Sequence, residues 1–147
     1  MAIMSLGVLT TGTASGSPVW EIRCNSTSRA YVMELGFFLN AATASNIGLG
    51  RPAAIGVTPT SPVDFLPEDP ANPAISGECQ SALAWGTAPT SPSAFLRRIG
   101  LPATVGVGVI WTWPKGLVIP SSGSIVLWNT GVSACSALNA YAVCDVT

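Results

Sequence analysis

Val105-Gly106-Val107-Gly108-Val109-Ile110-Trp111-Thr112-Trp113 places three valines and two tryptophans on one face of an extended chain, and Gly106, Gly108, Ile110 and Thr112 on the other. Successive side chains of a strand point to opposite faces, so this period of two in β-branched and aromatic residues reads as a β-strand. Outward from it, Pro114-Lys115-Gly116 reads as a turn, residues 117–119 as a short strand, Ser121-Ser122-Gly123 as a second turn and 124–129 as the next strand. Residues 139–146 give the last strand. Towards the N-terminus, residues 19–24 alternate with Trp20, Ile22 and Cys24 on one face and Glu21 and Arg23 on the other. Further strands fall at 30–40, 46–57, 78–87 and 93–99. Short strands spaced by Gly/Pro turn signals, with almost no helical period, predict an all-β chain. The expected architecture is an antiparallel β-sandwich, jelly-roll-like, with a partly open barrel as the alternative.

The chain has 147 residues, which suits one domain with a core of its own. Residues 18–147 read as that domain. Residues 1–17 carry no charge and are rich in Gly, Thr and Ser towards Ser17; they read as an extended N-terminal arm that packs on a neighbouring subunit. The basic segment that opens a signal peptide is missing.

Charged residues make up 9% of the chain, where about 25% is usual. Residues 116–144 hold none, yet Pro120, Gly123 and Gly131 interrupt them, so they are not a membrane span. So apolar a surface with net charge −1 favours association, which predicts life inside an assembly and self-association, a trimer being the expected state. No basic patch exists to release counterions from nucleic acid or to bind an anionic membrane, so neither is an expected partner.

Catalysis finds no constellation. Histidine is absent, which removes Ser-His-Asp and Cys-His arrangements. Glu68 and Asp69 are adjacent in a Pro-rich loop, whereas a glycosidase pair needs two carboxyls held about 5–9.5 Å apart across a cleft. Glu21 and Glu34 could meet across neighbouring strands, with Arg23 and Arg29 close by to pair them. Gly48-Leu49-Gly50-Arg51-Pro52 lacks the third glycine and the helix of a phosphate loop. The expectation is a non-enzyme without cofactor or metal. Cys24, Cys79, Cys135 and Cys144 have no C-x-x-C spacing. Buried free thiols and a disulfide both remain open; Cys135, in a predicted loop, is the candidate for an inter-subunit disulfide.

One internal echo stands out. Gly56-Val-Thr-Pro-Thr-Ser-Pro-Val-Asp-Phe-Leu66 recurs as Gly86-Thr-Ala-Pro-Thr-Ser-Pro-Ser-Ala-Phe-Leu96, with seven of eleven positions identical at an offset of 30. Either two similar Pro-rich turns each bury a Phe-Leu pair, or a subunit-contact loop is duplicated. Residues 58–77 form a long Pro-rich loop, and a pre-extended segment loses little entropy on docking. The candidate partner contacts are therefore Pro59, Pro62, Asp64 and Phe65 in that loop, with Arg51, Arg97 and Arg98 as anchors for a partner's carboxylates.

From about Tyr31 onward the chain resembles small virion proteins of tailed bacteriophages. The likeness is carried by Gly48-Leu-Gly-Arg-Pro-Ala-Ala54 with Gly56, by Leu96-Arg-Arg-Ile-Gly-Leu-Pro102, and by Trp111-Thr-Trp-Pro114 with Gly116-Leu117. It continues through Ile119-Pro120 to Leu127-Trp128-Asn129. The resemblance implies a head decoration (cement) protein on the capsid exterior, made in the host cytoplasm, with the major capsid protein lattice as partner. A tail, collar or fibre component that binds a glycan or receptor through Trp or Tyr is the alternative.

Overall fold

The computed structural model describes residues 2–72 and 77–147. They form strands β1 (Ala2–Leu9), β2 (Pro18–Cys24), β3 (Ala30–Leu39), β4 (Ser45–Gly50), β5 (Val57–Pro59), β6 (Val63–Asp64) and β7 (Leu66–Pro67). They continue as β8 (Cys79–Ala82), β9 (Trp85–Thr87), β10 (Phe95–Leu101), β11 (Gly108–Ile119), β12 (Ser124–Asn129) and β13 (Leu138–Val146). Two antiparallel sheets form a sandwich, one ordered β11-β3-β13-β1-β7 and the other β10-β4-β12-β2-β8-β6. The pair β5-β9 makes a separate small ribbon. Successive strands alternate between the two sheets from β1 to β4 and again from β10 to β13.

The core lies between the sheets. Trp20, Ile22, Leu49, Ile125 and Leu127 enter from one side and meet Leu35, Phe37, Leu39, Ile119 and Leu138 from the other. Trp111 stands edge-on to Phe37, with ring centroids 5.2 Å apart and planes at 78°, the geometry aromatic quadrupoles favour. Val107 and Val109, on the same predicted face, are only half-buried, and Val105 is 61% exposed because the strand starts at Gly108.

Three expectations change. The predicted arm is largely a strand: β1 pairs along its whole length with β13, from Ala2↔Val146 to Leu9↔Asn139, and buries Met4 and Leu6. Residues 10–17 are also tied down, since Asn129 Nδ2 donates to the carbonyls of Thr13 and Ala14. Met1 and residues 73–76 of the Pro-rich loop lie outside the described residues.

Second, Pro114-Lys115-Gly116 does not reverse the chain. Thr112 pairs with Glu34 and Leu117 with Val32, so residues 113–116 stand opposite Met33 alone and bulge out of a continuous strand. Gly116 has φ +76°, a conformation L side chains rarely adopt, which lets the chain rejoin β3 after the bulge.

Third, Glu21 and Glu34 do not meet. They belong to different sheets, and each has its own partners. Glu21 points away from the core, yet it is fully buried. Gly56, just before β5, and Trp85, which opens β9, cover it there.

Candidate functional site

Glu21 organises the ribbon. Its carboxylate accepts from Gly56 N (3.0 Å), Trp85 Nε1 (3.0 Å) and Ser124 Oγ (2.8 Å), and Arg23 Nη1 lies 3.4 Å away. Arg23 also donates to the Gly56 carbonyl at 2.7 Å. A buried carboxylate is costly unless paired and hydrogen-bonded, and this one is both. Gly56 opens the first copy of the echo, and Trp85 directly precedes the second. The two repeated segments thus leave from one buried carboxylate.

They then diverge to opposite edges of the sandwich. In the first copy, β6 pairs with β8 in one sheet and β7 with β1 in the other, and Phe65 between them is 1% exposed. Phe65 therefore plugs the gap between the sheets, and its predicted role as a partner contact is withdrawn. Leu66 is 59% exposed. Pro59 sits in β5 paired with Trp85, Pro62 is exposed, and Asp64 accepts from Gln80 Nε2 at 2.8 Å and from Gly77 N. In the second copy, Phe95 folds over Gly48, where an added Cβ would fall 2.6 Å from its ring. Leu96 drops out of the β10–β4 register and is 49% exposed.

Arg51 and Arg97 both reach β11, whereas Arg98 lies on the other face of β10, in a hollow lined by Ser15, Gly16, Phe95, Trp128 and residues 129–131. Arg97 stacks on Trp113 at 4.6 Å and donates to the Thr112 carbonyl at 3.4 Å; Arg51 donates to the Val118 carbonyl at 2.6 Å. Arg98 lies 5.6 Å above the Phe95 ring. With exposed Lys115 in the bulge, Arg51 and Arg97 make a cationic edge where the two sheets meet. Trp113, Pro114, Lys115 and Gly116 line a groove of about 380 Å³ there. Bulges, Lys and Pro also protect an edge strand from unwanted pairing. The acid on neighbouring β3, Glu34, is held by the Tyr141 hydroxyl at 2.5 Å, and that contact pushes the Tyr141 pKa up to about 12.

A third surface escaped sequence reading. Loops 10–17, 40–44, 102–107 and 130–137 are sewn together at one end of the sandwich. Cys135 N donates to Thr13 O, Asn40 N to Ala137 O, Thr130 N to Asn46 O and Gly106 N to Leu39 O. Not one residue in these loops is charged. Val132 is 97% exposed, Val105 61% and neighbouring Leu9 55%. The signal was in the sequence as four separate Ala/Ser/Thr/Gly runs, but only the fold gathers them.

All four cysteines are free and buried. Cys135, expected to be the accessible one, is 5% exposed with Sγ 3.4 Å from Thr13 Oγ1, so it is not presented to a partner. Cys24 stands opposite Cys79 in the β2–β8 register. The neighbouring Cys79 and burial push the Cys24 pKa up, while Cys144 and burial push that of Cys79 up against a lowering by Cys24. Among the described residues no group of His, Cys, Asp or Glu has the geometry of a metal site. No helix is long and apolar enough to cross a membrane.

The chain matches no protein-family model, no curated protein and no solved structure.

Proposed function

We propose that the chain is a virion structural protein, a decoration (cement) protein that seats on the outside of an expanded capsid through its charge-free end. The observation that carries this reading is the tip itself: four loops without a charge, bearing exposed Val105 and Val132, with Leu9 exposed at the adjoining end of β1. Charged groups are depleted at the core of protein interfaces because their desolvation is costly, and the four loops carry none; Arg98 borders them at residues 15–16 and 130–131. Weak contacts of that kind become firm when repeated over a lattice. The alternation of strands between sheets supports a jelly-roll reading, an architecture that viral capsid domains use.

The features that serve catalysis or small-ligand recognition do not compete with it. The depressions in the surface are shallow hollows on edges and faces. A glycan platform would call for bare aromatic faces, but Trp20, Trp111 and Trp128 are buried, Trp85 donates to Glu21, and Trp113 carries Arg97 on its ring. The receptor-binding alternative therefore has no specific feature in its favour.

Co-sedimentation with expanded heads stripped of the protein is the test. The account expects the chain to pellet with heads, and Val132→Glu to weaken binding about tenfold or more while leaving thermal unfolding unchanged, since Val132 touches almost nothing. Wild-type protein that stays in the supernatant contradicts the assignment.

A further inference from the structure

The two copies of the echo end in the same way and are followed by residues of opposite charge. Phe65-Leu66 runs on into Pro67-Glu68-Asp69, and Phe95-Leu96 runs on into Arg97-Arg98. Phe65 is buried between the sheets and Phe95 is half-buried over Gly48, and in both copies the Leu is exposed on an edge strand. Those edges lie on opposite sides of the sandwich. β7 is last in one sheet and β10 is first in the other, while contacts from Arg97 and Arg51 to β11 show that the β10 and β11 edges adjoin. Four or five strand spacings separate the two edges, roughly 19–24 Å.

Shape matches charge. Beside Leu66, a depression of about 500 Å³ is lined by Ala2, Ile3, Glu68, Asp69, Asn72 and Val143. Its walls are apolar with a rim of two exposed carboxylates, and Ile3 there is 45% exposed. The opposite edge offers what such a hollow would accept: a Leu bulged out of register, followed by Arg97 on the β11 side and exposed Arg98 on the other face, with exposed Lys115 in the β11 bulge next to Trp113, on which Arg97 stacks.

We infer that the chain associates head to tail with copies of itself, the Leu96-Arg97-Arg98 edge of one molecule seating in the Ile3/Glu68/Asp69 depression of the next. Such a contact is heterologous: it closes into a ring where the rotation permits, a trimer included, and otherwise extends as a row. The residues that follow the two copies supply the opposite charges of the joint, and opposite charge keeps either edge from pairing with itself. With the tip seated on a lattice, the edges are free to meet laterally. The inference stands on the edges alone, so loss of capsid binding by the tip leaves it intact.

The test is a charge swap read by light scattering at micromolar concentration. One variant reverses the cationic edge with Arg98→Glu and Lys115→Glu; another reverses the acidic edge with Glu68→Lys and Asp69→Lys. All four side chains are exposed, and near-UV circular dichroism checks that each variant keeps the wild-type fold. Wild type is expected to give an oligomer. Each variant alone should fall towards monomer mass, its association weakened about tenfold or more by like charges facing each other. An equimolar mixture should recover the oligomer, because the two reversed edges complement each other. Leu96→Ser should weaken association without altering the charge. A monomeric wild type, variants that associate as wild type does, or a mixture that stays monomeric would each overturn the inference.

Discussion

Replacing Glu21 by alanine should be among the most damaging single changes in this protein. The carboxylate is fully buried and has three hydrogen-bond donors within 3.0 Å, Gly56 N, Trp85 Nε1 and Ser124 Oγ, besides the Arg23 guanidinium at 3.4 Å. Alanine leaves all of these facing a void. Removing one partner of a buried charged pair costs about 3–5 kcal/mol. For a chain of this size, where each kcal/mol lowers Tm by about 2–4 °C, the loss is roughly 6–20 °C. Glu21→Gln keeps the volume but turns one acceptor into a donor facing other donors, so it should cost about 1–3 kcal/mol. Urea unfolding followed by tryptophan fluorescence measures both, and an unchanged m-value would show that only stability moved. Because Glu21 anchors the starts of both echo segments, the alanine variant should also lose self-association. A loss below about 1 kcal/mol for Glu21→Ala would refute the view that this carboxylate organises the ribbon.

Trp111→Ala should cost about 3–5 kcal/mol, the range for an enclosed aromatic, and a denaturation midpoint close to wild type would show that the edge-on packing against Phe37 is dispensable. The Tyr141–Glu34 hydrogen bond sets an alkaline limit. The folded Tyr141 pKa is raised to about 12 against an ordinary 10, so its stabilisation is complete below pH 10 and is lost as pH rises towards 12; Tyr141→Phe should flatten that part of the stability profile. All four thiols are buried, and Cys24 and Cys79 are held protonated by their neighbours, so a thiol reagent should label none until the protein unfolds. Rapid labelling of native Cys135 would contradict its burial.

The strands were legible because Trp20, Ile22 and Cys24, like Trp111 on its own strand, follow a period of two that one buried face dictates. What defeated the pattern were places where the chain breaks phase. Met33 is skipped in the pairing of β3 with β11 and with β13, so the inward face moves from Ala30 and Val32 to Leu35, Phe37 and Leu39. Likewise, a Pro-Lys-Gly run has the composition of a turn, and only pairing to Val32 and Glu34 reveals a bulge in an unbroken strand. The arm was misread because β1 has small and polar residues between its apolar ones, and Met4 and Leu6 are buried by strands over sixty residues away in sequence. Glu21 looked like an outward charge on an alternating strand, and nothing local tells that the β5-β9 ribbon covers it. Of the candidate contacts, Arg51 and Arg97 both reach β11, and Arg98 faces the other side of its strand over Phe95. Phe65 and Cys135 instead turn inward, since an apolar or soft side chain in a loop is as apt to plug a core as to meet a partner.

The central claim is that recognition resides at the charge-free end of the sandwich. Hydrogen–deuterium exchange on the protein free and bound to expanded heads tests it most directly, because it reads every loop in one experiment. The account predicts slowed exchange on binding in residues 10–17, 102–107 and 130–137, where Val105 and Val132 project, with little change at residues 25–29 and 120–123 at the far end. Protection confined to that far end, with the tip exchanging as it does in the free protein, would contradict the account.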